Sequence, residues 1–265
     1  MIIAIIFSLS YTLISYYNSD KIALSSVKAK PASRTNPDHR MLFNAAENMS
    51  LASGLPMPKL YVMQSDEINA FASGRDPKHA VICVTSGTLK KLNKQELEGV
   101  IAHEMSHIAN YDIRFMTLVV VLVGMISIIA QIFLRSLWFS SISGSHGGGG
   151  GNRDGKVQAF LIILGIVFAI LAPLVANLVS LAISRKREFT ADATGVKFTR
   201  YPPGLANALK KIKTEQKHTL PEKEKRKVAK ALAPMFISDP FKRKVKGLFA
   251  THPSIDERIS RLERM

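Results

Sequence analysis

Two histidines four positions apart flank a glutamate in the run His103-Glu104-Met105-Ser106-His107. On an α-helix that spacing puts both imidazoles on one face, one turn apart, where each can offer a ring nitrogen to one metal ion at about 2.0–2.1 Å. Glu104 projects beside them and is too close in sequence to be a convenient ligand. It is placed instead to take a proton from an attacking water. The chemistry would be metal-assisted hydrolysis, provided a third ligand arrives from elsewhere and one coordination position stays open. A candidate stands in Arg187-Glu188-Phe189-Thr190-Ala191-Asp192, where Glu188 and Asp192 lie four apart on a helical face. Alone, Glu188 would be read as half of a surface ion pair with Arg185 or a nearby lysine. Beside a histidine pair it is read as the third ligand, and two His with one Glu suit zinc best among the common ions. The three fixed letters of the motif recur by chance in on the order of one such chain per hundred, so the elements around them must decide.

Those elements are favourable. Asn93-Lys94-Gln95-Glu96 resembles a capping box, with Asn93 as N-cap and Glu96 at the third helical position, and predicts a helix running through the motif. Val100, Ile101 and Ile108 would pack it. Upstream, residues 38–53 carry apolar side chains at helical spacing and stop at Gly54, with Pro56 and Pro58 beyond. Residues 60–64 (LYVMQ) and 80–85 (AVICVT) read as strands, separated by a loop NAFASGRDPKH. The stretch 18–114 is therefore a small α/β piece.

The chain of 265 residues carries a formal charge of +16 with 47% hydrophobic residues and a mean hydropathy of +0.11. Intrinsic disorder is excluded for most of the chain by that apolar content, and a lone cysteine, Cys83, excludes a disulfide framework or a multi-cysteine metal ribbon. Residues 115–139 and 157–184 each exceed the roughly 20 residues that span a hydrocarbon core about 30 Å thick, and the second has no charged residue. Both are read as membrane helices, with a kink expected at Pro173. Residues 1–17 form a third apolar run at the short end of a span, read as a membrane helix whose beginning is cut short.

Residues 185–265 hold 21 Lys and Arg against 9 Asp and Glu, so +12 of the +16 lies there. Arg114 before one long run and Arg185, Lys186 and Arg187 after the other put both polar segments in the cytoplasm by the positive-inside rule. The expected organisation is a membrane helix (1–17), a cytoplasmic catalytic segment with the motif helix (18–114), a membrane helix (115–139), a glycine-rich external loop (140–156), a membrane helix (157–184) and a cytoplasmic catalytic segment with the third ligand (185–265). Antiparallel membrane helices joined by a short loop would return Glu188 beside His103 and His107.

NAFASGRDPKHAVICVTSGTLKKL, HEMSHIANYD, REFTADATG and THPSIDERISRL, in this order along the chain, resemble the HtpX-type integral-membrane zinc metalloproteases, relatives of the CAAX prenyl endoproteases. The resemblance extends from about Asp20 to Met265. It implies a mainly α, integral-membrane protein with a zincin-like (minigluzincin) cytoplasmic catalytic domain containing a small β-sheet. It implies one zinc held by His103, His107 and Glu188, with Glu104 as general base and Asp192 fixing a ligating histidine. It further implies that Asn69 binds the substrate main chain and that His252 helps stabilise the oxyanion. Relatives open with two apolar segments in a hairpin; here one precedes Asp20.

The activity so implied is endoproteolysis of misfolded or damaged membrane proteins at the cytoplasmic face of the cell membrane, the partners being polypeptide substrates and the bilayer. The alternative is a non-catalytic zinc-binding membrane scaffold or a metal transporter. A transporter should place ionisable groups within its helices, and the two long apolar runs offer only Gln131, Gln158, Asn177, Thr117 and a few serines besides Arg135. The lysine-dense stretch from Lys210 to Lys246 is poor in stacking aromatics, so no nucleic-acid partner is expected.

Overall fold

The computed structural model describes residues 14, 16–115, 163, 185–217, 236–237 and 253–265. Apart from Phe115 and Ile163, the expected membrane helices 115–139 and 157–184 lie outside the described residues, as do the external loop 140–156, most of 1–17, and His252. Among the described residues no helix is long and apolar enough to cross a membrane.

In chain order the elements are α1 (Ser19–Ser26), β1 (Lys30–Pro31), α2 (Arg40–Ser53), β2 (Lys59–Met63), β3 (Ala70–Ser73), β4 (Val81–Thr85), α3 (Ser86–Lys91), α4 (Lys94–Ala109), α5 (Arg185–Thr199), α6 (Pro202–Lys217) and α7 (Ile255–Leu262). Helix α4 carries the histidine pair, and its start follows the predicted capping box. The Asn93 side chain accepts from Glu96 N–H at 2.9 Å, and the Glu96 carboxylate accepts from Asn93 N–H at 2.8 Å. The same carboxylate accepts from Lys211 of α6 at 2.7 Å.

The four strands lie in the order β1-β2-β4-β3, with β2 parallel to β4 and the outer pairs antiparallel. All five residues of β4 are buried because its two faces look into different cores. Ile82 and Val84 meet the main core of α2, α4, α6 and α7, while Val81 and Cys83 join Phe71, Phe236, the α1 residues Ala23 and Leu24, and Val27 just after that helix. The predicted loop between β2 and β4 needs correcting: its segment Ala70–Ser73 is strand β3. Ala-Phe-Ala-Ser lacks the β-branched residues that mark a strand. What makes it one is pairing, Ala70 opposite Val84 and Ala72 opposite Ile82.

Helix α6 approaches α4 closely at Gly99. A Cβ there would stand 2.5 Å from the backbone nitrogen of Leu205 and 2.8 Å from the carbonyl carbon of Gly204. Alanine is favoured over glycine in a helix by up to about 1 kcal/mol, but forcing a methyl against backbone costs about 1–3 kcal/mol. Gly99→Ala is therefore expected to lower the thermal unfolding midpoint, as followed by circular dichroism of the solubilised chain. An unchanged or raised midpoint would contradict this tight crossing.

Candidate metal centre

His103 and His107 sit one turn apart on α4, and their rings meet edge to face with centroids 4.7 Å apart. The Nε2 atoms approach to 3.2 Å. Glu188, from the first turn of α5, closes the triangle with one carboxylate oxygen 3.7 Å from His103 Nε2 and the other 3.6 Å from His107 Nε2. Ligands bound tetrahedrally at about 2.0–2.2 Å stand about 3.3–3.6 Å from one another, close to these separations. Among the described residues these three side chains form the group that could hold a metal ion.

The other ring nitrogens are engaged. His103 Nδ1 lies 3.0 Å from Asp192 Oδ1, and His107 Nδ1 lies 3.0 Å from Asp112 Oδ2. With each Nδ1–H donated to a carboxylate, both Nε2 atoms present lone pairs to the same point. Two lone pairs at 3.2 Å repel unless a proton or a metal cation lies between them. The local charge asks for the same thing, because four carboxylates, those of Glu104, Glu188, Asp192 and Asp112, gather here beside the guanidinium groups of Arg258 and Arg187.

The titration of these groups reflects that excess. Burial lowers the pKa of His107, yet the hydrogen bond to Asp112 and the carboxylates of Glu188 and Glu104 outweigh it and raise the value to about 9. Burial and the nearby Arg258 hold His103 below its ordinary value despite Asp192. Burial would raise Asp192, but Arg258 and His103 bring it down to about 2. The seat between the two rings thus favours a positive charge, and the donor set fits a borderline-soft divalent ion.

Glu104 is buried, and burial is the main cause that lifts its carboxyl to about 7, with Glu188 adding to the rise while His107, the Ala72 N–H and Arg258 oppose it. The Ala72 hydrogen bond ties Glu104 to β3. Asn69 is buried at the head of that strand; its N–H donates to the hydroxyls of Thr85 and Thr88 at 3.1 and 2.9 Å, and its Oδ1 accepts from Ala70 N–H at 3.0 Å. The outer edge of β3 carries a neighbour: Phe236 bridges to Phe71, and Ile237 N–H donates to the Ala70 carbonyl at 2.9 Å.

Helix α5 comes close to α4 at Gly195, where a Cβ would stand 3.1 Å from His103 N. The structure brings His103, His107, Glu188 and Asp192 together, with Glu104 beside them. Two members of the cluster escape sequence reasoning. Asp112 follows the motif helix, and a left-handed Tyr111 with φ 58° turns the chain after the helix end. Arg258 lies on α7 in register with the core residues Ile259 and Leu262. An arginine on the apolar stripe of a short helix is the signal that could have found it.

The comparisons with known proteins agree. The profile of Peptidase family M48 matches residues 37–265. The chain is 48% identical to a protease HtpX homolog of Caldanaerobacter subterraneus subsp. tengcongensis, over 98% of this chain and 83% of that protein. It is 46% identical to the protease HtpX homolog of Thermoanaerobacter pseudethanolicus, over 100% of this chain and 84% of the relative. The crystal structure of S. mikatae Ste24p shares the fold, with a TM-score of 0.53 at 18% identity, covering 97% of this chain and 57% of that one. Family match, relatives and donor set converge: the chain belongs to peptidase family M48 and is a metalloprotease similar to the HtpX homologs.

Proposed function

We propose that the protein is a membrane-embedded zinc endopeptidase that cleaves misfolded or damaged membrane proteins at the cytoplasmic face, with His103, His107 and Glu188 as the zinc ligands. The observation that carries the reading is the pair of Nε2 atoms 3.2 Å apart, each ring held from behind by a carboxylate and closed off by Glu188. The placement in a membrane rests on the apolar runs 115–139 and 157–184 and on the basic residues that flank them.

When bound, zinc would supply Lewis-acid polarisation of the attacking water and of the scissile carbonyl. Glu104 takes the proton of that water on its carboxylate and passes it to the leaving amine, a task for which a pKa of about 7 is suited. The Ala72 N–H orients the carboxylate. Asp192 and Asp112 fix the tautomers of the two histidines, so that both keep Nε2 lone pairs. Asn69 would bind the substrate main chain, and His252 would help stabilise the oxyanion. A substrate laid as an extended strand along β3 would compete with Ile237 for the Ala70 carbonyl.

The test is metal removal. The solubilised chain is expected to hold one zinc and to cleave unfolded casein; stripping by a chelator should abolish cleavage, and stoichiometric zinc should restore it. Cleavage that persists after complete metal removal would sink the reading. A nucleic-acid-binding face on the lysine-dense stretch from Lys210 to Lys246 is weakened, in its described part, by the pairing of the lysines: Lys210 with Glu263 at 2.6 Å, Lys211 with Glu96 at 2.7 Å, and Lys213 with Asp256.

A further inference from the structure

Arg258 is one of the largest fully buried side chains among the described residues, and its surroundings are not those of a space-filler. Its Nε donates to Asp192 Oδ2 at 2.9 Å and its Nη2 to Asp192 Oδ1 at 2.6 Å, a bidentate fork. Its Nη1 donates to the Ile237 carbonyl at 3.3 Å and lies 3.5 Å from Glu188 Oε2. Nη2 also stands 3.4 Å from both ring nitrogens of His103. One guanidinium thus touches the side chains of two of the three metal-ligating residues, and the carboxylate that fixes one of them.

Two opposed effects follow. A guanidinium so near the ligands repels a divalent cation, which would weaken metal binding. Against that, the fork fixes Asp192, which in turn fixes His103, and the remaining amino group attracts Glu188 by charge to its side of the triangle. Ordering ligands in advance removes an entropic cost that the ion would otherwise meet on binding. A planar, five-donor group is suited to this and a lysine is not, because an ammonium cannot hold a carboxylate bidentately while reaching a second one.

We propose that Arg258 is a positioning residue for the metal centre, holding Asp192, and through it His103, together with Glu188 in the geometry that receives the ion, and that this ordering outweighs its charge repulsion. The proposal rests on the metal-centre assignment made above. On the other histidine, Arg187 stands 3.7 Å from Asp112, which holds His107, so each ring has an aspartate and an arginine behind it. Arg187 is partly exposed and makes the looser contact, which leaves Arg258 as the dominant member.

The test measures zinc affinity of the solubilised whole chain by chelator competition, with the cobalt-substituted absorption spectrum as a report on ligand geometry. Arg258→Met is expected to bind zinc about 10–100-fold more weakly, the usual loss on removing an outer partner, while far-ultraviolet circular dichroism stays that of the parent. Guanidinium at non-denaturing concentration should recover part of the loss. Because Arg258 acts through Asp192, the losses in Asp192→Asn and Arg258→Met should be far from additive in the double variant. If Arg258→Met does not fold, Arg258→Lys decides: weaker zinc binding at a parental melting temperature supports the proposal, and parental affinity overturns it. A folded Arg258→Met that binds zinc as tightly as the parent, or more tightly, also overturns it. A parent chain that binds no metal would instead strike at the metal-centre assignment itself.

Discussion

Glu104→Gln is expected to leave zinc bound and to cut peptide hydrolysis by about 10²–10⁴-fold, the range that a positioned general base contributes. Glutamine keeps the volume and the acceptor for the Ala72 N–H but cannot take a proton. Glu104 lies outside the ligand triangle, so metal content measured by atomic absorption should match the parent. The loss would not come from unfolding, because burial already raises the Glu104 carboxyl to about 7 and a neutral isostere removes the cost of burying that charge. The melting temperature of the variant should therefore equal or exceed that of the parent. Undiminished casein cleavage by Glu104→Gln would rule out this base.

Glu188→Gln is expected to fail differently. An amide oxygen is a weaker ligand without charge, so zinc affinity should fall by about 10²-fold or more, given that losing merely an outer partner costs about 10–100-fold. Zinc per purified chain should drop well below one, and cleavage should drop with it, recovering in part as zinc is added in excess. A non-catalytic zinc scaffold would show the loss of metal in Glu188→Gln but no change of any activity in Glu104→Gln. The pair of variants therefore separates a protease from a metal-holding scaffold, with the metal content of each as the internal control.

Much of the centre was legible because its chemistry is local. His103, Glu104 and His107 share one helix whose start is written in Asn93 and Glu96, and Glu188 with Asp192 repeats the same spacing on a second helix. Strand β3 was not legible, since Ala70 to Ser73 have weak strand preference and become a strand through pairing with β4 and with Phe236. Arg258 reads as a surface charge among Asp256, Glu257 and Arg261 unless the stripe of Ile259 and Leu262 is traced first. Asp112 is invisible until Tyr111 turns the chain back, an event outside any periodic pattern. For β3 and Arg258 what sequence could not show was a partner supplied by a distant segment; for Asp112 it was a local left-handed turn.

The close crossing of α5 over α4 at Gly195 has a thermodynamic consequence. Helix α4 brings two ligands and α5 the third, and a long stretch of chain separates His107 from Glu188. An ion held by all three is therefore a clasp across that stretch, closing a large loop as a covalent staple would. By linkage, whatever loosens the docking of α5 lowers metal affinity, and metal in excess of its dissociation constant resists that loosening by RT ln(1 + [L]/Kd). The same atoms that would cut other chains then decide how firmly this one stays folded. A protease that has lost its ion is at once idle and more open to attack by its neighbours.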